Sequence, residues 1–286
     1  MLKNKAPIII NTISNFLLWR KNISGSIGFV PTMGGIHKGH LSLVKKSVSY
    51  CDFTVVSIFL NPLQFAKNED LNTYPSNTND DLKLLSNYNI SVVFLPSKQE
   101  FFSTNFSMKI VEGHLSKCLE GQKRPDFFPG VLTIITKLFN IISPSHAFFG
   151  KKDPQQLLII KKLCEDFNYN IKIVACPTVR EKNGLAMSSR NEYLTKDEKA
   201  DASVIFESIQ EAQLLIKSGV FSIFKIKSEM EALLLSCPNL KIDYISFSSC
   251  STLIEYKKTL KKNSLVSIAV FLGHTRLIDS FFYPDI

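Results

Sequence analysis

The sequence has no apolar run that approaches the roughly 20 residues needed to cross a bilayer. Its early run Ile8-Ile9-Ile10 is interrupted by Asn11, Thr12, Ser14 and Asn15, so it does not make the apolar segment of an export signal. Six cysteines are present (Cys51, Cys118, Cys164, Cys176, Cys237 and Cys250), but there is no Cys-x-x-Cys pair and no Cys/His ligand spacing. That argues against a structural zinc site. Several of these cysteines lie among apolar residues, as reduced core thiols do, and a cytoplasmic location is expected. Acidic residues are the scarcer sign: 25 Asp and Glu stand against 34 Lys and Arg, for a net charge of +9. The basic excess invites a nucleic-acid partner. Yet the lysines come singly or in pairs such as Lys45-Lys46, Lys161-Lys162, Lys257-Lys258 and Lys261-Lys262, with no long basic run or aromatic-interleaved stripe. A solvated lysine-rich surface accounts for the charge, with small anionic substrates second. No nucleic-acid or membrane partner is expected. Internal repeats and low-complexity tracts are also missing.

What is there alternates. Residues 11–21 carry Ile13, Phe16, Leu17 and Trp19 at helical spacing. Ile27 to Val30 reads as a buried strand that stops at Pro31, because proline cannot continue a central ladder. A second strand is expected at 54–60, ended by Asn61-Pro62, and a third at 90–95. Helices are expected over 80–85 and 131–142, a short strand at 147–149, a helix opened by Asp153-Pro154, and a strand at 171–174. Strands and helices in alternation argue for an α/β fold with a doubly wound parallel sheet. Ligands bind such sheets beyond the carboxyl ends of the strands. After about residue 185 the texture changes. Long amphipathic helices at roughly 196–218 and 221–235 precede two strand-like runs, 242–247 and 264–272, which suggests a smaller α+β domain.

The chemistry-bearing stretch follows the first of these buried strands. Met33-Gly34-Gly35-Ile36-His37-Lys38-Gly39-His40 is a glycine turn entering a helix on which Leu41, Leu43, Val44 and Val48 share a face. Strand, glycine turn and helix bring phosphates against backbone N–H groups at a helix start. The stretch has neither a Walker ending nor Gly-x-Gly-x-x-Gly spacing. His37 and His40, three residues apart, can point at one anion and stabilise charge on a phosphoryl group. Read singly, each is more ordinarily a surface or packed histidine.

Other constellations lie in loops. Gln64, in Asn61-Pro62-Leu63-Gln64-Phe65, offers a donor and an acceptor after a strand end, although a turn glutamine is usually just solvated. In Phe149-Gly150-Lys151-Lys152-Asp153-Pro154-Gln155-Gln156, Gly150 allows close backbone approach, a lysine can meet phosphate and Gln156 lies one turn inside the helix. The bland alternatives are a solvated lysine pair and an Asp153 that only caps. Met187-Ser188-Ser189-Arg190-Asn191 brings hydroxyls and a guanidinium, which suit a polyphosphate, against a plain cap and a surface arginine. Asp80 and Asp81 could help hold Mg²⁺ through water, against a solvated helix face. The histidine pair has no spaced third ligand for a zinc site, and no Gly-x-Ser-x-Gly elbow supports a serine hydrolase.

In this order, Pro-Thr-Met-Gly-Gly-x-His-x-Gly-His, Asn-Pro-x-Gln-Phe, Phe-Gly-x-Lys-Asp-x-Gln-Gln and Met-Ser-Ser-Arg-Asn make the chain resemble the pantothenate synthetase (pantoate–β-alanine ligase) family over nearly its full length. Leu272-Gly273 and Arg276-Leu277-Ile278-Asp279 are similar to that family too. The resemblance implies a Rossmann-like domain over residues 1–184 for ATP and pantoate, and a smaller lid over 185–286. It implies activation of pantoate as pantoyl adenylate with loss of pyrophosphate, then attack by β-alanine to give pantothenate and AMP, a step toward coenzyme A. It also implies Mg²⁺, a homodimer and a cytoplasmic enzyme. Carried over by position, Met33 to His40, Gly150 to Asp153, Val179 and Met187 to Arg190 match ATP segments. His40 matches the proton donor and His37 its partner on phosphate, and Lys152 and Arg190 are expected to join them in catalysis by holding the two anions together. Gln64 and Gln156 match pantoate contacts, Gln64 lying also near β-alanine.

Lys151 stands where the family usually has Glu, and Phe127 and Pro129 replace its usual His and Arg. These departures imply altered kinetics rather than a lost reaction. Two rival readings remain distinguishable. A plain nucleotidyltransferase would release pyrophosphate without pantoate. A basic nucleic-acid-binding module would show salt-sensitive binding to DNA or RNA.

Overall fold

Six strands rich in β-branched and aromatic residues make one sheet: β1 (Ile8–Ile10), β2 (Ile27–Thr32), β3 (Phe53–Ile58), β4 (Val92–Phe94), β5 (His146–Gly150) and β6 (Lys172–Cys176). Every neighbouring pair runs parallel, in the order β1-β4-β3-β2-β5-β6. The computed structural model describes residues 6–66 and 69–284. Along β2 and β3 successive residues are buried, so both faces of the sheet are covered and an alternating pattern is not needed. From β2 the chain winds outward through β3 and β4, then returns to place β5 on the opposite side of β2. The winding direction therefore reverses between β2 and β5, the position where open parallel sheets leave a crevice.

The strand at β2 runs through Pro31 to Thr32 instead of stopping at the proline. The side on which each backbone group points explains this. The carbonyls of Ser26 and Thr32 accept from Phe53 and Phe59 on the β3 side, whereas the Ile27 carbonyl accepts from Ser145 on the β5 side. Pro31 shares the parity of Ile27, and the β5 register ends at Phe29 paired with Ala147. The missing N–H thus falls beyond the last paired residue on that side, while pairing with β3 continues to Thr32 and Ile58.

The helices of this part are α1 (Ile13–Lys21), α2 (Lys38–Tyr50), α3 (Thr78–Leu85), α4 (Lys98–Phe101), α5 (Glu120–Lys123), α6 (Phe127–Ile142) and α7 (Pro154–Asp166). The sequence places α6 from Val131, but it begins four residues earlier. Pro129 sits in the first turn, where a helix has no intrahelical partner for its N–H groups. Then come α8 (Lys196–Asp201), α9 (Ser203–Lys217) and α10 (Ile223–Leu235), and an antiparallel sheet of β7 (Leu240–Ser249), β8 (Ser264–Leu272) and β9 (Thr275–Tyr283). One long helix over 196–218 is expected from periodicity. It divides at Ala202, whose ψ of −11° breaks the α geometry after a short helix capped by Thr195 and Glu198. Two strands are also absent from the sequence reading, β1 and β9.

Compact packing divides the chain into residues 1–150 with 159–176, and residues 151–158 with 177–286. The parallel sheet and the antiparallel sheet fall in different units. Val30, Val44, Val56, Leu85, Val93 and Phe148 are central to the core of the first. Ile205, Ile209, Ile226, Met230, Val266 and Ile268 are central to that of the second. No helix among the described residues is long and apolar enough to cross a membrane.

None of the six cysteines is in a disulfide, and Cys164, Cys176 and Cys237 are buried. Burial pushes the Cys164 thiol up to about 11, so almost none is thiolate at neutral pH. Iodoacetamide at pH 8 should therefore leave Cys164 unmodified in the native protein and alkylate it after unfolding. Peptide mass mapping reads the difference, and rapid native labelling of Cys164 would contradict its packed setting.

Candidate active site

Beyond the carboxyl end of β2 the chain turns through Gly34 and Gly35, both in the left-handed region at φ +90° and +63°. Glycine alone adopts these angles without strain. The turn is held by one side chain beside it and one from α3. Thr32 Oγ1 accepts from Gly34 N–H at 3.3 Å and donates to the Ser57 carbonyl at 2.7 Å. The carboxylate of Asp81, on α3, accepts from Gly35 N–H at 3.0 Å and from Ile36 N–H at 2.7 Å.

His37 and His40 form a reciprocal cap on α2. His37 Nδ1 accepts from Gly39 N–H at 3.1 Å, and His40 Nδ1 accepts from His37 N–H at 3.4 Å. Their rings lie 4.1 Å apart, centroid to centroid. A ring nitrogen that accepts carries no proton, so each neutral ring holds its proton on Nε2. Local backbone geometry thus selects the tautomer in which both imidazoles are Nε2–H donors. The N–H groups of Gly35, Ile36, His37 and Gly39 are engaged by protein acceptors.

Gln64 lies in a single 3₁₀ turn, Pro62–Gln64, directly after Asn61-Pro62, and is buried rather than solvated. Asn61 Nδ2 donates to Gln64 Oε1 and to the Gly130 carbonyl, both at 3.1 Å, while Asn61 Oδ1 accepts from Leu63 N–H. Gln64 Nε2 contacts Met33 Sδ at 2.7 Å. The glycine turn and the glutamine are therefore one assembly within the first unit. Arg124 closes it from outside. It pairs with both oxygens of Glu69 at 2.5 and 2.6 Å, donates to the Gln64 carbonyl at 3.3 Å, and stacks 4.0 Å over the Phe127 ring. Phe127, one of the two departures in this run, thus carries a cation–π contact.

The second unit carries the remaining segments. Met187 N–H donates to the Val179 carbonyl at 2.9 Å and Glu181 N–H to the Leu185 carbonyl at 2.8 Å, so Val179 and the Met187 segment are joined by a tight hairpin. Ser188 caps the 3₁₀ turn Ser189–Tyr193, its hydroxyl accepting from Arg190 N–H at 3.3 Å. Arg180 anchors this hairpin to β9. Its guanidinium pairs with both oxygens of the buried Asp279, at 2.5 and 3.0 Å, donates to the Gly184 carbonyl at 3.0 Å, and lies 4.0 Å over Phe206. Gly150 ends β5 in the first unit; Lys151, Lys152 and Asp153 precede α7, whose first turn bonds Leu157 N–H to the Asp153 carbonyl at 3.0 Å. Lys152 Nζ is 3.5 Å from Asp153 Oδ1, and Gln156 is half-buried in the first turn of α7.

Asp80 and Asp81, offered by the sequence as holders of Mg²⁺ through water or as a solvated helix face, divide, and only Asp80 keeps its oxygens open to solvent. Asp80 is exposed, whereas Asp81 is buried with both oxygens bound to the turn. Burial pushes the Asp81 carboxyl up, and the Ile36 and Gly35 N–H bonds pull it back. Among the described residues no group of three or more His, Cys, Asp or Glu is placed to hold a metal ion. Arg124, Glu69 and Arg180 were not legible as site residues, because their partners lie 55 and 99 positions away.

A model of the pantoate–β-alanine ligase family matches residues 8–282. The chain belongs to that family. It is a ligase that joins pantoate to β-alanine using ATP. Among curated relatives, the pantothenate synthetase of Fervidobacterium nodosum is 46% identical over 259 residues, 91% of this chain and 92% of that one. That of Carboxydothermus hydrogenoformans is 42% identical over 273 residues, covering 95% and 96%. Among solved structures, pantothenate synthetase from Thermus thermophilus superimposes with a TM-score of 0.92 at 33% identity, covering 97% of this ligase and all of that chain. The pantoate–β-alanine ligase of Francisella tularensis, complexed with beta-gamma ATP and β-alanine, gives a TM-score of 0.80 at 34% identity, covering 97% and 98%.

Proposed function

We propose that this ligase works through pantoyl adenylate. A carboxylate is a poor acyl donor to an amine at neutral pH. The pantoate carboxylate attacks the α-phosphorus of ATP and pyrophosphate leaves; the β-alanine amine then attacks the acyl carbon and AMP leaves. No covalent enzyme nucleophile is needed. The task is to hold two anions together.

The observation that carries this reading is the contact of Met33 with Gln64, which ties the proposed ATP turn to the proposed pantoate residue. In this scheme the Nε2–H groups of His37 and His40 face phosphate and donate hydrogen bonds to it, His40 to the charge that develops as pyrophosphate leaves. Lys152 and Arg190 neutralise the remaining charge. Met33 to Lys38, Gly39, Gly150 to Asp153, Val179 and Met187 to Ser189 shape the ATP site. Gln64 and Gln156 hold pantoate, with Gln64 also near β-alanine. Mg²⁺ would accompany ATP and offset phosphate charge, and the exposed Asp80, unlike the buried Asp81, would be open to its hydration shell. Residues 1–184 provide the substrate-binding domain and 185–286 the lid, in a cytoplasmic homodimer.

Pyrophosphate release that requires pantoate, and AMP release that requires β-alanine, test the sequence of steps. Pyrophosphate formed from ATP without pantoate would replace it with a plain nucleotidyltransferase. Within the scheme, Gln64→Ala should raise the KM for pantoate by roughly tenfold or more, in line with loss of a buried hydrogen-bonding group, and move that for ATP much less. Equal rises for both would make Gln64 a structural residue.

A further inference from the structure

We infer that Asp81 is a positioning residue for the adenylation half of the reaction: its buried carboxylate fixes the Gly35–Ile36 peptide so that His37 and His40 present their donors together. This inference rests on the adenylate reading above. A carboxylate beside a phosphate-binding turn is unexpected, since it repels the ligand. Its geometry resolves the conflict. The two oxygens accept from two consecutive amides, at 3.0 and 2.7 Å, from a helix 45 residues further along the chain. The side chain is 4% exposed. A Cβ added at Gly34 would lie 3.0 Å from Asp81 Oδ2, so the missing side chain there admits the carboxylate.

The consequence runs directly into the histidines. Ile36 N–H is held, and the next residue, His37, is both the N-cap of α2 and the donor to His40 Nδ1. Two left-handed glycines precede this cap and would otherwise leave its direction free. Asp81 replaces that freedom with two charge-assisted hydrogen bonds. The same carboxylate occupies the amides that a glycine turn would ordinarily offer to phosphate.

In Asp81→Asn one of the two amides faces an NH₂ group instead of an acceptor. With ATP, Mg²⁺ and pantoate, and no β-alanine, the rate of pyrophosphate release in a rapid-quench experiment should fall by roughly ten- to a hundredfold. AMP formation from supplied pantoyl adenylate and β-alanine should stay within about twofold, and half-saturation by Mg²⁺ should not move. Equal slowing of both halves, an unchanged first half, or recovery of the first half at high Mg²⁺ would each overturn the proposal. Amide hydrogen exchange on the wild-type protein gives a second measurement should the variant not fold. Gly35 and Ile36 should be protected without nucleotide, with no further slowing on adding ATP and Mg²⁺. Exchange at the rate of an open loop, or protection that appears only with ATP, would overturn it. A wild-type protein that releases no pyrophosphate without β-alanine would instead sink the adenylate reading, and the exchange result would still decide whether Asp81 holds the turn.

Discussion

Replacing His40 with alanine should slow pantoate-dependent pyrophosphate release by about 10²- to 10³-fold, roughly 2.7–4 kcal/mol, the loss that follows removal of one preorganised oxyanion donor. The structure adds a second, smaller loss. His40 Nδ1 is an acceptor for the His37 N–H at the start of α2, so alanine also removes half of a capping box, about 1 kcal/mol of stability. The two losses can be separated. Glutamine is a normal partner at this third helical position and can accept the same N–H, but it does not restore an imidazole Nε2–H. His40→Gln should therefore recover most of the unfolding midpoint lost in His40→Ala while pyrophosphate release stays slow. Single-turnover quench and chemical denaturation read the two quantities. A glutamine variant with near-normal turnover would remove His40 from the chemistry.

Asp279→Ala should destabilise the protein by about 3–5 kcal/mol, because it leaves the Arg180 guanidinium beside a vacated, largely desolvated site. The Asp279 side chain is 1% exposed, and its Oδ1 also accepts from Ser280 N–H at 2.8 Å, so more than one donor loses its partner. A guanidinium chloride titration should show the midpoint falling well below that of the parent. Because Arg180 neighbours Val179 and holds the Gly184 carbonyl, the same variant should raise the KM for ATP. Replacing both partners together, as Arg180→Met with Asp279→Leu, should return much of the stability, since the cost belongs to the orphaned charge rather than to the pair. A single variant within about 1 kcal/mol of the parent would show that the pair is solvated in solution.

How much of this was legible follows the length scale of each signal. The strands β2, β3 and β8 announce themselves as apolar runs, and α2 through a repeat that shares one face. β1 is only three isoleucines, too short to tell from a fragment of something else until Val92–Phe94 is found beside it. β9 follows β8 across Gly273 and His274, and its partly polar content, Arg276 and Asp279 included, hides it. Those charges are there because each has a partner, Asp243 and Arg180. The continuation of β2 through Pro31 depends on which edge lacks a neighbour, and no local pattern carries that. The candidate site divides in the same way. The histidines, Gln64 and the serine–arginine segment are short contiguous motifs. Asp81, Glu69, Arg124, Arg180 and Asp279 act across the fold, and their roles became readable only when distant segments were placed side by side.

Gly130 sits in α6, and a Cβ on it would meet the Leu63 carbonyl oxygen at 2.3 Å and the Gln64 nitrogen at 2.7 Å. Helix and turn therefore touch backbone to backbone, with nothing compressible between them. How deep Gln64 sits is decided by the bare flank of a helix together with Asn61 of its own loop. A single added methyl there would lift the glutamine outward, making the reach of that amide a property inherited from a residue that itself carries no chemistry.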